Sequence, residues 1–208
     1  MRTRVKFCGV TRPGDARLAG ELGVDAIGLI FAVASKRRLD VDAAIAVREA
    51  LPPLVSSVAL FMDSDPELIE RVLRQVRPHL LQFHGSETEV ECRRWGLPYL
   101  RALPMHGMTD ALGFCARYPS AAGFVLDAHA PGAAGGTGAA FDWSHIPAPL
   151  PKPWLLAGGL GPANVAAAIA AARPWGVDVS SGIESSPGLK DGEMMRLFLQ
   201  EVQRADCV

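Results

Sequence analysis

The sequence predicts an α/β fold: a single-domain (β/α)8 barrel over residues 1–208, with a phosphate site near strands 7 and 8. Three observations point there. Eight short apolar runs alternate with amphipathic stretches rich in Ala, Arg and Glu, with no break in composition, as expected of parallel strands covered by helices. Two glycine/serine loops follow the last two runs, Gly158-Gly159 and Ser180-Ser181-Gly182. Polar residues gather just beyond the ends of several runs, where barrels of this kind carry their functional groups. Eight is the closing number for a barrel. A doubly wound sheet is the alternative, because periodicity alone does not reveal closure. At 208 residues the chain is near the lower end for such a barrel, so the connections must be short.

The elements follow in order. The first run is Arg4 to Cys8, and a helix is expected from about Pro13 to Leu22. Asp25 to Phe31 precedes a helix over about Val41 to Ala50. Leu54 to Phe61 leads to a helix whose first turn holds Asp65-Pro66-Glu67, with Asp63 or Ser64 as its cap. Leu80 to His84 is the fourth run, and Ser86-Glu87-Thr88-Glu89 opens the next helix in a capping-box pattern. Pro98 to Leu103 and Gly123 to Leu126 are the fifth and sixth. Pro153 to Ala157 is the seventh; Gly161-Pro162-Ala163-Asn164 then opens an alanine-rich helix ending near Arg173-Pro174. Gly176 to Val179 is the eighth, and a last helix fills about Asp191 to Arg204. The longest glycine-rich stretch, Pro131 to Gly138, follows strand six, where a loop of this length can cover a site.

Composition narrows the function. Net charge is −1, and no cluster of Lys and Arg interleaved with aromatics is present, so no nucleic-acid partner is expected. No apolar run has the length needed to span a bilayer, and Met1-Arg2-Thr3-Arg4 runs into a strand-like segment without a signal-peptide core. Cys8, Cys92, Cys115 and Cys207 show no CxxC or Cys/His metal-ligand spacing. A reduced, cytoplasmic setting and no metal are the simplest expectation. Oligomeric state, monomer or homodimer, stays open.

The glycine loops suggest the ligand. Glycine lets the backbone approach an anion closely, and Gly158, Gly159, Ser180, Ser181 and Gly182 offer such a phosphate cradle. The expected partner is therefore a phosphorylated small molecule. At the other strand ends, side-chain alternation places Lys6 and Cys8 on one face, and Gln82 with His84 on another. Asp127 ends strand six, Asp178 ends strand eight, and Ser35-Lys36-Arg37-Arg38 follows strand two. A cysteine base and an aspartic acid would suit proton transfer at a sugar carbon. Lys6 could lend Cys8 thiolate character, and burial or a nearby carboxylate could keep Asp127 protonated. An arginine fork suits a ligand carboxylate. Plainer roles stand beside these: Cys8 as packing, Asp127 as a loop cap, Lys36-Arg37-Arg38 as a solvated charge run, and Lys6 as the structural partner of Asp178 across neighbouring strands.

Taken together, the motifs resemble one family. Lys6-Phe7-Cys8-Gly9-Val10-Thr11 is similar to the Lys-Ile-Cys-Gly-Ile-Thr opening of the phosphoribosylanthranilate isomerases, and Leu81-Gln82-Phe83-His84-Gly85 to their Leu-Gln-Leu-His-Gly. Leu126-Asp127, Gly135-Gly136-Thr137-Gly138, Phe141-Asp142-Trp143, Leu156-Ala157-Gly158-Gly159-Leu160, Asn164-Val165, the run Val177 to Glu184 and Pro187 to Asp191 continue the series. The matches run in order across nearly the whole chain. The resemblance implies a TIM barrel and an Amadori rearrangement of N-(5-phosphoribosyl)anthranilate in tryptophan biosynthesis, with no metal or organic cofactor. It implies Asp127 as general acid, Cys8 as general base, Arg37 as ligand of the anthranilate carboxylate and the glycine/serine loops as phosphate cradle. Lys6, Gln82, His84 and Asp178 are the further substrate-binding candidates. Two alternatives remain at this level: a related barrel isomerase of the histidine-pathway aminoaldose, which would use two aspartates, and a barrel that binds a phosphorylated ligand without catalysis. Arg38 competes with Arg37 for the carboxylate.

Overall fold

A computed structural model describes residues 2–128, 143, 146 and 149–207. Eight parallel strands close into a barrel in sequence order: β1 (Arg4–Cys8), β2 (Ala26–Ile30), β3 (Ser56–Phe61), β4 (Leu80–Phe83), β5 (Tyr99–Pro104), β6 (Gly123–Asp127), β7 (Trp154–Leu156) and β8 (Gly176–Val179). Closure is made by β1 against β8, with Lys6 level with Asp178. The barrel, not the doubly wound sheet, is the architecture.

Helices pack around the strands: α1 (Pro13–Glu21), α2 (Val41–Glu49), α3 (Pro66–Gln75), α4 (Glu89–Arg93), α5 (Ala111–Ala116), α6 (Val165–Ala172) and α7 (Gly192–Asp206). On α7 the buried residues are Met195, Phe198, Leu199 and Val202, the i, i+3, i+4, i+7 stripe of a helix laid on a core. Phe7 meets Phe198 edge-on, with ring centroids 6.0 Å apart. Further round the barrel Phe31, Phe61, Phe83 and Tyr99 form a continuous aromatic seam, each ring within 6.2 Å of the next. These rings occupy the layer between strands and helices. Their neighbours in sequence, Lys6, Cys8 and Gln82, therefore point into the barrel.

The structure revises several local expectations. The cap of α3 is Asp65, whose carboxylate accepts from Glu67 N at 2.8 Å. Asp63 is committed elsewhere: it holds the backbone N–H and hydroxyl of Ser86, both at 2.7 Å. Ser86 is thereby lost as a cap for α4. The capping box there pairs Thr88 with Glu91, not Ser86 with Glu89. α5, capped by Asp110, was not foreseen. Nor was the small hairpin after β8, β9 (Glu184–Ser186) and β10 (Leu189–Lys190), whose turn uses Gly188 at φ +85°. The glycine-rich stretch Pro131–Gly138, with Phe141 and Asp142, lies outside the described residues.

Candidate active site

A cavity opens at the C-terminal mouth of the barrel. Cys8, Arg37, Gln82, His84, Asp127, Gly158, Gly159, Asp178, Ser180 and Ser181 all line it, with Ile30, Leu60 and Met62 supplying an apolar wall. Sequence reasoning named the polar members separately. The fold brings them to one place because each stands at or just beyond a strand end.

Cys8 and Lys6 sit on the inward face of β1. The register sets Cys8 opposite Gly28 of β2, where a Cβ would lie 2.8 Å from Sγ. Gly28, unmarked in the sequence reading, therefore makes the space that the thiol occupies. Lys6 lies deeper, buried, with Nζ 3.0 Å from each oxygen of Asp178. Burial is the largest influence and disfavours this ammonium, but the charge and hydrogen bond of Asp178 together with those of Cys8 outweigh it and raise the Lys6 pKa above its ordinary value. The structural partnership of Lys6 and Asp178 is thus real.

That pairing changes the expected activation of Cys8. Burial pushes the thiol pKa up; Lys6 opposes the shift, and Asp178 reinforces it. The net direction is upward. In this geometry Lys6 does not make Cys8 a standing thiolate, because the cost of burying the charged sulfur outweighs its pull.

Across the mouth, Asp127 ends β6 with Oδ2 3.4 Å from His84 Nε2. His84 Nδ1 in turn lies 3.3 Å from Gln82 Nε2. His84 thus turns Nδ1 toward the Gln82 amide and Nε2 toward Asp127. The backbone on either side of His84 is clamped from β5. Buried Arg101 donates to Phe83 O at 2.8 Å and Gly85 O at 2.5 Å. Arg101 was not foreseen as a site residue.

Arg37 is buried against the cavity wall, whereas Arg38 is exposed and joins β2 only through a backbone bridge to Ile30. Between the two, Arg37 is the cavity residue. Its Nε and Nη2 each donate to Glu184 at 2.8 Å. Gly9, at φ +69°, clears the path of its stem, since a Cβ there would overlap Arg37 Cδ.

The two glycine/serine loops interlock. Gly158 and Gly159 adopt φ +86° and +62°. A Cβ on Gly158 would lie 2.6 Å from Ala128 N, and one on Gly182 would overlap Leu160 O. Asn164 fixes the first loop by donating to Gly159 O and accepting from Gly161 N, both at 2.9 Å. Gly182 does not line that cavity itself but an adjoining cleft, which shares Gly159, Leu160 and Ser181 with it. The Ser180 hydroxyl is buried and has no hydrogen-bond partner among the described residues.

Residues 5–201 match the family described as N-(5'-phosphoribosyl)anthranilate (PRA) isomerase. The chain belongs to the PRA isomerase family. One relative so named, from Stenotrophomonas maltophilia (strain R551-3), is 59% identical over 208 residues, covering 99% of this chain and 95% of the relative. Among solved structures, the PRA isomerase of Thermus thermophilus superposes with a TM-score of 0.86 at 35% identity, covering 97% of this chain and 99% of that one. Another family member, solved in complex with reduced 1-(o-carboxyphenylamino)-1-deoxyribulose 5-phosphate, gives a TM-score of 0.81 at 33% identity, with the same coverage. As a PRA isomerase the chain is an isomerase enzyme of tryptophan biosynthesis on a TIM barrel. Among its described residues no helix is long and apolar enough to cross a membrane.

Proposed function

We propose that this chain converts N-(5-phosphoribosyl)anthranilate into 1-(2-carboxyphenylamino)-1-deoxyribulose 5-phosphate, with Asp127 as acid and Cys8 as base. The observation that carries this reading is that Cys8 and Asp127 share one cavity whose rim also holds Arg37 and the glycine/serine loops. The substrate has two anionic ends, and the cavity offers a separate site for each.

The proposed steps are these. Asp127 gives its proton to the furanose ring oxygen; the C1'–O bond breaks as the anthranilate nitrogen lone pair forms a protonated Schiff base. The cation at C1'=N acidifies the C2' hydrogen. Cys8 takes that proton, and the C–H electron pair moves to form an enolamine, which tautomerises to the ketone. Every step is a proton transfer or an internal electron shift, so no metal or organic cofactor enters. A thiol with a raised pKa is a stronger base once ionised, and the cationic intermediate lowers the demand on it. His84 holds the Asp127 carboxyl in place, and the carboxyl of Asp178 lies close enough to Asp127 for the two charges to interact.

Arg37 takes the anthranilate carboxylate through the N–H groups that Glu184 leaves available. The phosphate lies against Gly158, Gly159, Ser180, Ser181 and Gly182, where the buried Ser180 hydroxyl gains a partner. Gln82 and His84 bound the ribose. We further propose that residues 1–208 form one barrel domain that works in the cytoplasm as a monomer or homodimer. The test is turnover of freshly generated N-(5-phosphoribosyl)anthranilate, followed by loss of its fluorescence, with Cys8→Ser alongside. Rapid loss with the wild type and little with the variant supports the reading. No loss with an active substrate preparation discards it.

A further inference from the structure

We infer that the β9–β10 hairpin is the positioning element of the carboxylate subsite: Glu184 aims Arg37, and Lys190 keeps the cluster net cationic. The inference rests on the reading of Arg37 as carboxylate ligand.

Arg37 reaches the cavity on a long stem that, left alone, would sample many rotamers. Glu184 removes that freedom by engaging Nε and Nη2 side-on, both at 2.8 Å. A guanidinium has five N–H donors in a rigid fork. The side-on grip uses two of them and fixes the plane of the rest, which includes Nη1. A planar carboxylate needs that plane held before it arrives.

Lys190 completes the arrangement from β10. Its side chain is fully buried, and Nζ donates to Glu184 Oε1 at 2.8 Å, Cys8 O at 2.6 Å and Ser180 O at 3.0 Å. Those are the three donors of an ammonium, all used. One buried cation thus ties the strand end that carries the base, the loop of the phosphate cradle and the carboxylate that aims Arg37. The hairpin is itself anchored to the β1–α1 segment. Arg12 donates to Lys190 O at 2.8 Å, Asp15 accepts from Lys190 N at 3.3 Å, and Thr11 donates to Gly188 O.

The charge count gives the second role. Arg37 and Lys190 are cations and Glu184 is an anion, so the trio sums to one positive charge. Lys6 and Asp178 cancel. An isolated Arg37–Glu184 pair would meet an incoming carboxylate as a neutral group. Two buried cations sharing one anion is a costly arrangement for stability alone; it fits a site that awaits a second anion.

The experiment compares kcat/KM for N-(5-phosphoribosyl)anthranilate with that for N-(5-phosphoribosyl)aniline, which lacks the carboxylate. The ratio of the two isolates recognition of that group. Arg37→Met is expected to collapse the ratio. Glu184→Gln and Lys190→Met are each expected to lower it about tenfold, and neither lowers it further in an Arg37→Met background. A hairpin that served only to stabilise the fold would affect both substrates alike. The inference is overturned if Arg37→Met collapses the ratio while Glu184→Gln and Lys190→Met leave it at the wild-type value. If Arg37→Met itself leaves the ratio unchanged, the carboxylate reading of Arg37 fails and takes this inference with it. Should Glu184→Gln not fold, Glu184→Asp keeps the charge and shortens the reach by one methylene. It is then expected to lower the ratio about threefold, and an unchanged ratio overturns the inference.

Discussion

Gly28 of β2 faces Cys8 of β1 so closely that a side chain at position 28 would begin 2.8 Å from the sulfur. The same hypothetical Cβ would lie 3.3 Å from Lys6 Nζ. Position 28 therefore sets where the proposed base stands. Gly28→Ala is expected to displace the thiol and lower kcat by about 10- to 100-fold, the scale of a misplaced reacting group. Overpacking of one methyl should cost about 1–3 kcal/mol of stability. Steady-state kinetics with thermal melts checks both; an unaltered kcat would show that Cys8 has room to spare.

Cys8→Ser and Asp127→Asn should each reduce turnover by about 10²–10⁴-fold, the usual contribution of a positioned base or acid. Inorganic phosphate should inhibit the wild type and both variants to the same degree, since neither residue belongs to the proposed cradle. A variant with near-normal turnover removes its residue from the mechanism.

The pH profile follows from the surroundings of Cys8. Burial first, and then Asp178, raise its pKa above the usual 9.0 against the opposing pull of Lys6. The basic form therefore grows as pH rises, and kcat/KM, which reports groups of the free enzyme, should still be climbing at about pH 9. Asp178→Asn removes the anion that raises the thiol pKa and frees the charge of Lys6, so the ascending limb should move to lower pH. A wild-type plateau reached below about pH 8 would contradict this account of Cys8.

Glu184 gives a stability signature in acid. Burial works against its ionisation, but Arg37 and Lys190 outweigh burial and hold its pKa below the ordinary carboxylate value. A carboxylate depressed in the folded state stabilises the protein above its unfolded pKa, about 4.3. That contribution fades as pH falls through the lower folded value. Wild type should exceed Glu184→Gln in urea-unfolding stability at pH 7, with the gap narrowing below about pH 4. A gap that is constant with pH would mean that the Glu184 charge is not what the fold uses.

Gly158→Ala tests the cradle. The residue stands at φ +86°, and the new methyl would press on Ala128 N. Strain of this kind costs about 1–3 kcal/mol, and the shifted loop should raise KM by about tenfold while changing kcat less. Equal loss in both parameters would place Gly158 outside phosphate binding.

Much of this was legible in the sequence because it is local. The bounds of β1 and β8 were read correctly, since short apolar runs with sharp polar ends define them. From adjacency in a closed barrel the Lys6–Asp178 pair could also be named. What escaped depends on distant partners. Glu184 sits 147 residues from Arg37 and Lys190 sits 182 from Cys8; both fall in motifs that match the family, but those motifs do not show which distant groups the two side chains hold. The two-residue strand β10 has no period to detect. The cap of α4 was misplaced because Ser86 and Thr88 both precede a glutamate by three positions, and only the third-dimensional claim of Asp63 on Ser86 decides between them. Lys6 could be named as a possible activator of Cys8, but the cost of burying the thiol inside the closed barrel, which outweighs that activation, is not legible in the local sequence.

The Lys6–Asp178 and Lys190–Cys8 contacts also place the site in time. During synthesis the first strand leaves the ribosome with a lysine and a thiol that are chemically ordinary. Their counterion lies 172 residues later, and the ammonium that grips the Cys8 carbonyl 182 residues later. The nascent chain can assemble most of its strands and helices while the proposed base remains an unformed site. On the proposed reading the site is completed by closure, when the last strand and its hairpin arrive, so a barrel truncated before them is expected to be inactive.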